Sequence, residues 1–134
     1  VGFAPGDAIL VKDPRPWDDR RHLYIVITAS ESNPKNLMLL PCVETRTDWS
    51  RDLSCTLEPG DHPFLKSPSV VNYRDAIAIS PAGLDELIVR GHGRVKESVS
   101  PEVLARIIEG ARRSPNLDLD KRAMLPPEPD GTLE

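Results

Sequence analysis

The sequence predicts a mainly β domain of the α+β class, a small β-barrel of about six or seven short strands with two C-terminal helices. Three observations carry this expectation. The apolar runs before Ser80 are short, and several are rich in β-branched or aromatic residues. Fourteen prolines and eight glycines are spread along the chain and punctuate those runs. Helical spacing of apolar residues begins only after Ser80-Pro81. Strands therefore precede helices, rather than alternating with them as in a βαβ sheet.

The elements follow in order. Pro5-Gly6-Asp7 is a turn signal, and Ala8 to Val11 a short apolar strand. A polar loop with two prolines and Trp17 runs to Arg21. His22 to Thr28, HLYIVIT, is too short for a typical helix and reads as a buried strand. After a loop around Asn33-Pro34, Leu37 to Val43 is a third strand, with Pro41 expected at an edge or bulge. Leu53 to Leu57 alternates apolar and polar, as a half-exposed strand does. Val70 to Tyr73 and Ala76 to Ile79 are either one bent strand or two. Val95 to Val99 is a further short strand.

Ser80-Pro81 and Ser100-Pro101 each place a capping hydroxyl before a proline at the first helical position. The first helix ends at Gly91. The second carries Val103, Leu104, Ile107, Ile108 and Ala111 on one stripe, with Arg112 and Arg113 at its negative end.

The chain of 134 residues is the size of one domain, assigned to residues 1–116, with 117–134 as a flexible acidic tail. The tail has five acids and two bases, a charge of −3; residues 1–116 have sixteen acids and fifteen bases, a charge of −1. No general basic field favours nonspecific nucleic-acid binding. A local patch is available where Arg20, Arg21, Arg46 and Arg51 lie in or beside loops. No secretory leader or apolar run of about 18 residues occurs, so a cytoplasmic protein without a membrane span is expected. Cys42 and Cys55 are then reduced thiols.

No phosphate-binding glycine loop, dinucleotide fingerprint, H-E-x-x-H or C-x-x-C pattern is present, so no metal and no cofactor is expected. The chemistry-bearing residues cluster on three polar segments: Arg20-Arg21-His22, Glu44-Thr45-Arg46-Thr47, and His62 with Lys66. Metal-free RNA cleavage needs a base for the 2′-hydroxyl, an acid for the departing 5′-oxygen, and donors for the phosphoryl oxygens. An unperturbed histidine titrates at about 6.5 and suits either proton transfer. Arginine suits bidentate phosphate contact. His22, Arg21, Thr45 and His62 are the catalytic candidates. Arg20, Arg46, Arg51 and Lys66 are RNA-binding candidates, joined by Trp17 and Trp49 as stacking surfaces. The structural alternatives are a half-buried His22, a His62 that braces its own turn, and tryptophans that cover the barrel mouth.

The order of these segments resembles the PemK/MazF-like family of bacterial toxin endoribonucleases, in a divergent branch. The matching pieces are Gly6-Asp7-Ala8-Ile9-Leu10-Val11, RRHLYIVIT from residue 20 to 28, LLPCVETRT from 39 to 47, and the strand, capped helix, glycine and second helix from Ser69 to Arg113. The resemblance spans about residues 6–113 and implies an SH3-like barrel. Counted back from Thr28, the family's catalytic arginine position falls on His22, with Arg21 one residue earlier and Leu23 where the usual proline stands. The family's catalytic hydroxyl falls near Thr45, with Val43 the other match. The resemblance implies a homodimer that cleaves single-stranded RNA by 2′-hydroxyl attack and an antitoxin-like protein partner. The alternative is a non-catalytic interaction module on the same barrel, binding a protein partner or RNA.

Overall fold

The structure is a computed structural model that describes residues 2–12, 21–28, 36–47 and 51–126. It is mixed α+β and mostly β. Among the described residues, seven strands form one antiparallel sheet: β1 (Ala8–Lys12), β2 (Arg21–Val26), β3 (Leu37–Glu44), β4 (Thr56–Leu57), β5 (Ser69–Val71), β6 (Ile77–Ile79) and β7 (Gly93–Lys96). The helices are α1 (Pro81–Val89), α2 (Pro101–Arg113) and α3 (Leu119–Arg122). The sheet order is β4-β5-β3-β2-β1-β7, with β6 also on β3. The barrel is not closed by strand pairing: among the described residues β4 and β7 end the path. No helix of the described residues is long and apolar enough to cross a membrane.

Strand alternation sorts the core into two faces. Ala8 opposes Ile25, Leu23 opposes Cys42 and Ile25 opposes Leu40. These side chains form one cluster with Met38, Val71 and Tyr73, closed by Val103, Ile107 and Ala111 of α2. The other face carries Ile9, Val26, Leu37 and Leu39, and Leu84 of α1 packs on it. The helices α1 and α2 are thus each fixed to one face of the sheet by their apolar residues.

The caps form where the serines predict them. Ser80 accepts from the Gly83 N–H at 3.0 Å and Ser100 from the Val103 N–H at 3.2 Å. Gly6 has φ +96° in the predicted turn, a conformation that favours glycine, and its N–H donates to Val26.

Two strand expectations change, and one left open is settled. Pro41 lies inside β3, between β2 on one side and β5 and β6 on the other, not at an edge. Its carbonyl accepts from the Asn72 N–H at 2.9 Å, while the Asn72 carbonyl accepts from Asp75 within the turn Tyr73–Asp75. The donor that proline lacks is therefore not called for. The same turn settles the 70–79 segment: β5 and β6 are two strands, laid in succession along β3. The half-exposed strand at 53–57 shrinks to Thr56–Leu57, because Ser54 instead turns back to the Asp52 carboxylate.

The segment after Ser114, expected to be loose, is packed as far as Pro126. Ser114 and Leu117 are buried, and Arg122 donates to the carbonyls of Ala111, Arg112, Ser114 and Leu117. The first three lie at the end of α2, where a helix leaves carbonyl oxygens without intrahelical partners. The acidic charge of the tail hid this single arginine cap. Residues 127–134 lie outside the described residues.

Candidate functional site

A cleft of about 450 Å³ opens where β2 begins and β3 ends. Arg21, His22, Glu44, Arg46, Phe64, Lys66 and Ser67 line it, over a floor that includes Cys42 and Leu65. The sheet explains how distant segments meet here. Leu23 opposes Cys42, so the same antiparallel register carried two residues further brings Arg21 toward Glu44. Glu44 opposes Ser69, which draws the 64–67 loop to the same place.

Glu44 is the centre of the polar network. Ser67 Oγ donates to Glu44 Oε2 at 2.6 Å, and Arg46 Nε donates to Oε1 at 3.3 Å. The Ser67 hydrogen bond, then the Arg46 charge, hold the Glu44 carboxyl below its usual pKa. It stays ionised. Arg46 pairs with this carboxylate, and Arg21 and Lys66 line the same cleft, in a chain of net charge −4. Lys12 sits opposite Arg21 in the β1–β2 register.

The sequence candidates separate. Arg21 and His22 come to the cleft, as do Arg46 and Lys66. Being adjacent in a strand, Arg21 and His22 leave opposite faces of the sheet. His22 accordingly also borders a second hollow, with Tyr24, Pro41, Arg74 and Asp75, on the other face. Thr45 is exposed and begins the helical turn Thr45–Thr47; its N–H donates to Pro68, and it does not line the cleft. Arg51 is exposed with φ +56°, away from the lining set. Trp17, Arg20 and Trp49 lie outside the described residues.

His62 is placed differently from the acid–base role expected of it. It is 3% exposed. Its Nε2 lies 2.6 Å from the Glu97 carbonyl, and its Nδ1 accepts from the Phe64 N–H at 3.0 Å. Both nitrogens face backbone, which assigns the proton to Nε2. His62 lines a neighbouring groove rather than the cleft that His22 lines. Two histidines do not flank one phosphate site here.

Glu44 and Ser67 are the site residues that sequence reasoning missed. Glu44 was visible in the Glu44-Thr45-Arg46 segment. Its partner lies 23 residues away, and no local pattern announces that pairing. Among the described residues, no group of three or more His, Cys, Asp or Glu side chains is placed to hold a metal ion. The thiols of Cys42 and Cys55 are free and buried, and burial, then the neighbouring Cys55, pushes Cys42 up to about 12. Neither is a reactive thiolate.

Compared with known proteins, the chain matches no family model, no curated protein and no solved structure.

Proposed function

We propose that the cleft is the active site of a toxin-type endoribonuclease that cleaves single-stranded RNA without a metal. The observation that carries this reading is one cleft lined by Arg21, Arg46, Lys66 and the ionised Glu44, with His22 at its border. The PemK/MazF-like order of segments supports the same class.

In this reading Glu44 takes the proton of the 2′-hydroxyl, and the 2′-oxygen attacks phosphorus. The bond from phosphorus to the 5′-oxygen breaks, and that oxygen takes a proton from the His22 imidazolium. The products are a 2′,3′-cyclic phosphate and a 5′-hydroxyl. Arg21, Arg46 and Lys66 stabilise the charge that grows on the phosphoryl oxygens. These cations supply the positive charge that a metal ion would otherwise provide. Glu44 here replaces Thr45 and His62 in the catalytic set, because it lies in the cleft while Thr45 does not and His62 faces backbone.

A non-catalytic module that binds RNA or a protein through this cleft is the second reading. It is favoured by the hydrogen bonds that already occupy both Glu44 oxygens. Purified protein incubated with a long single-stranded RNA in EDTA decides between them. Fragments ending in 2′,3′-cyclic phosphate from the wild type, and about a hundredfold fewer from Glu44→Gln or His22→Ala, are expected. Intact RNA in every lane, from protein shown to be folded, sinks the nuclease reading and leaves the module.

A further inference from the structure

A second groove, of about 510 Å³, runs beside the first and is lined by His62, Pro63, Phe64, Lys66, Val95, Lys96 and Glu97. Phe64 and Lys66 line both. The two grooves therefore share a wall made of one aromatic ring and one cation. We infer that single-stranded RNA bound at the cleft continues over this wall into the second groove, where Lys96 takes a flanking phosphate and Phe64 stacks on a base.

The residue types match what single strands need. A cation tracks the backbone, and an aromatic face takes any base. Lys66 sits on the shared wall, reachable by a phosphate on either side. Glu97 is the one acid in the lining, so Lys66 and Lys96 leave the groove positive on balance. Phe64 is only half-buried. His62 is a positioning residue in this scheme: its Nε2 ties the start of the 62–66 loop to Glu97 just after β7, the other side of the groove, while its Nδ1 fixes the loop's own turn at Phe64. A phosphate-binding cleft alone accounts for one nucleotide. The added groove predicts a footprint of several, with the contacts beyond the cleft lying toward β7 rather than toward Arg74 on the opposite face.

The inference rests on the proposed RNA-binding cleft, and the experiment separates the two. Uncleavable 2′-O-methyl oligonucleotides, from a dinucleotide to an octanucleotide, are titrated into wild type, Lys96→Ala, Phe64→Leu and Arg74→Ala across a salt series. Affinity of the wild type is expected to rise with length. Lys96→Ala is expected to lower the salt slope by about 0.7, the value of one lost phosphate contact on a single strand. It leaves dinucleotide binding intact and removes the gain from the longer chains. Phe64→Leu lowers the length gain with no change in salt slope. Equal affinity at all lengths, or a slope that changes in Arg74→Ala and not in Lys96→Ala, overturns the second groove while the cleft stands. No binding of any oligonucleotide by folded wild type overturns both.

Discussion

The Nε2 of His62 lies 2.6 Å from the carbonyl oxygen of Glu97, and this contact spans the two unpaired ends of the sheet. His62 follows β4 and Glu97 follows β7, and these strands end the pairing path. A side chain thus clasps the seam that strand pairing leaves open. Replacing His62 with Ala removes two hydrogen bonds and leaves a void. A loss of about 2 kcal/mol or more is expected in urea unfolding. His62→Gln keeps a donor near the Nε2 position and recovers part of it. An Ala variant within about 0.5 kcal/mol of wild type would show that the clasp carries no load.

Gly110 lies inside α2, where alanine is ordinarily better by about 1 kcal/mol. A Cβ at this position would run into the Tyr73 hydroxyl, the Ser54 carbonyl at 2.8 Å and the Cys55 Cβ at 2.9 Å. Two of these contacts are backbone or a buried side-chain root and give little. Gly110→Ala is therefore expected to destabilise by about 1–3 kcal/mol. A melting temperature above wild type would refute the close approach.

Asp52 is 7% exposed and accepts from Ser54, Ser114 and Asn116, joining the 51–54 segment to the end of α2. Burial alone would raise its pKa, but the Ser114, Ser54 and Asn116 hydrogen bonds outweigh it and lower the pKa from 3.8 to about 2. The folded carboxyl is thus more acidic than the unfolded one. Its stabilisation, about 2 kcal/mol, is complete above the unfolded value and lost as pH falls from about 4 toward 2. The gap in stability between wild type and Asp52→Asn should shrink across that window. A gap that stays constant with pH contradicts the assignment.

Ser67 holds the Glu44 carboxylate ionised, as the first cause of its lowered pKa. In the proposed nuclease, Ser67→Ala should move the acidic limb of the kcat/KM profile to higher pH, because Glu44 then binds its proton more readily. A purely structural role for Ser67 would change folding or KM and leave the limb in place. The pH profile of RNA cleavage distinguishes the two.

Arg122 donates to the Arg112 carbonyl at 2.8 Å and to three further carbonyls around the end of α2. Arg122→Ala should cost about 1 kcal/mol and speed amide hydrogen exchange in the last turn of α2. Unchanged exchange at residues 110–114 would remove the cap from the account.

Local chemistry was enough for the elements whose signals lie side by side in the chain. Ser80-Pro81 and Ser100-Pro101 start helices because the capping hydroxyl and the proline act within one turn. Ala8 to Val11 and His22 to Thr28 read as strands because their apolar runs are short and bounded by turns. Arg21, His22, Arg46 and Lys66 could be named as candidates from residue type alone. Tertiary structure decided which of them meet. A strand turns alternate side chains to opposite faces, so Arg21 belongs to the cleft alone while His22 borders both the cleft and the hollow on the other face. A register between β2 and β3 brings Arg21 toward Glu44, and a hydrogen bond across 23 residues ties Glu44 to Ser67. The same long-range geometry turned His62 inward onto Glu97, 35 residues away, for a reason no nearby residue could reveal: an open sheet leaves a seam, and the side chain that reaches across it becomes part of the frame.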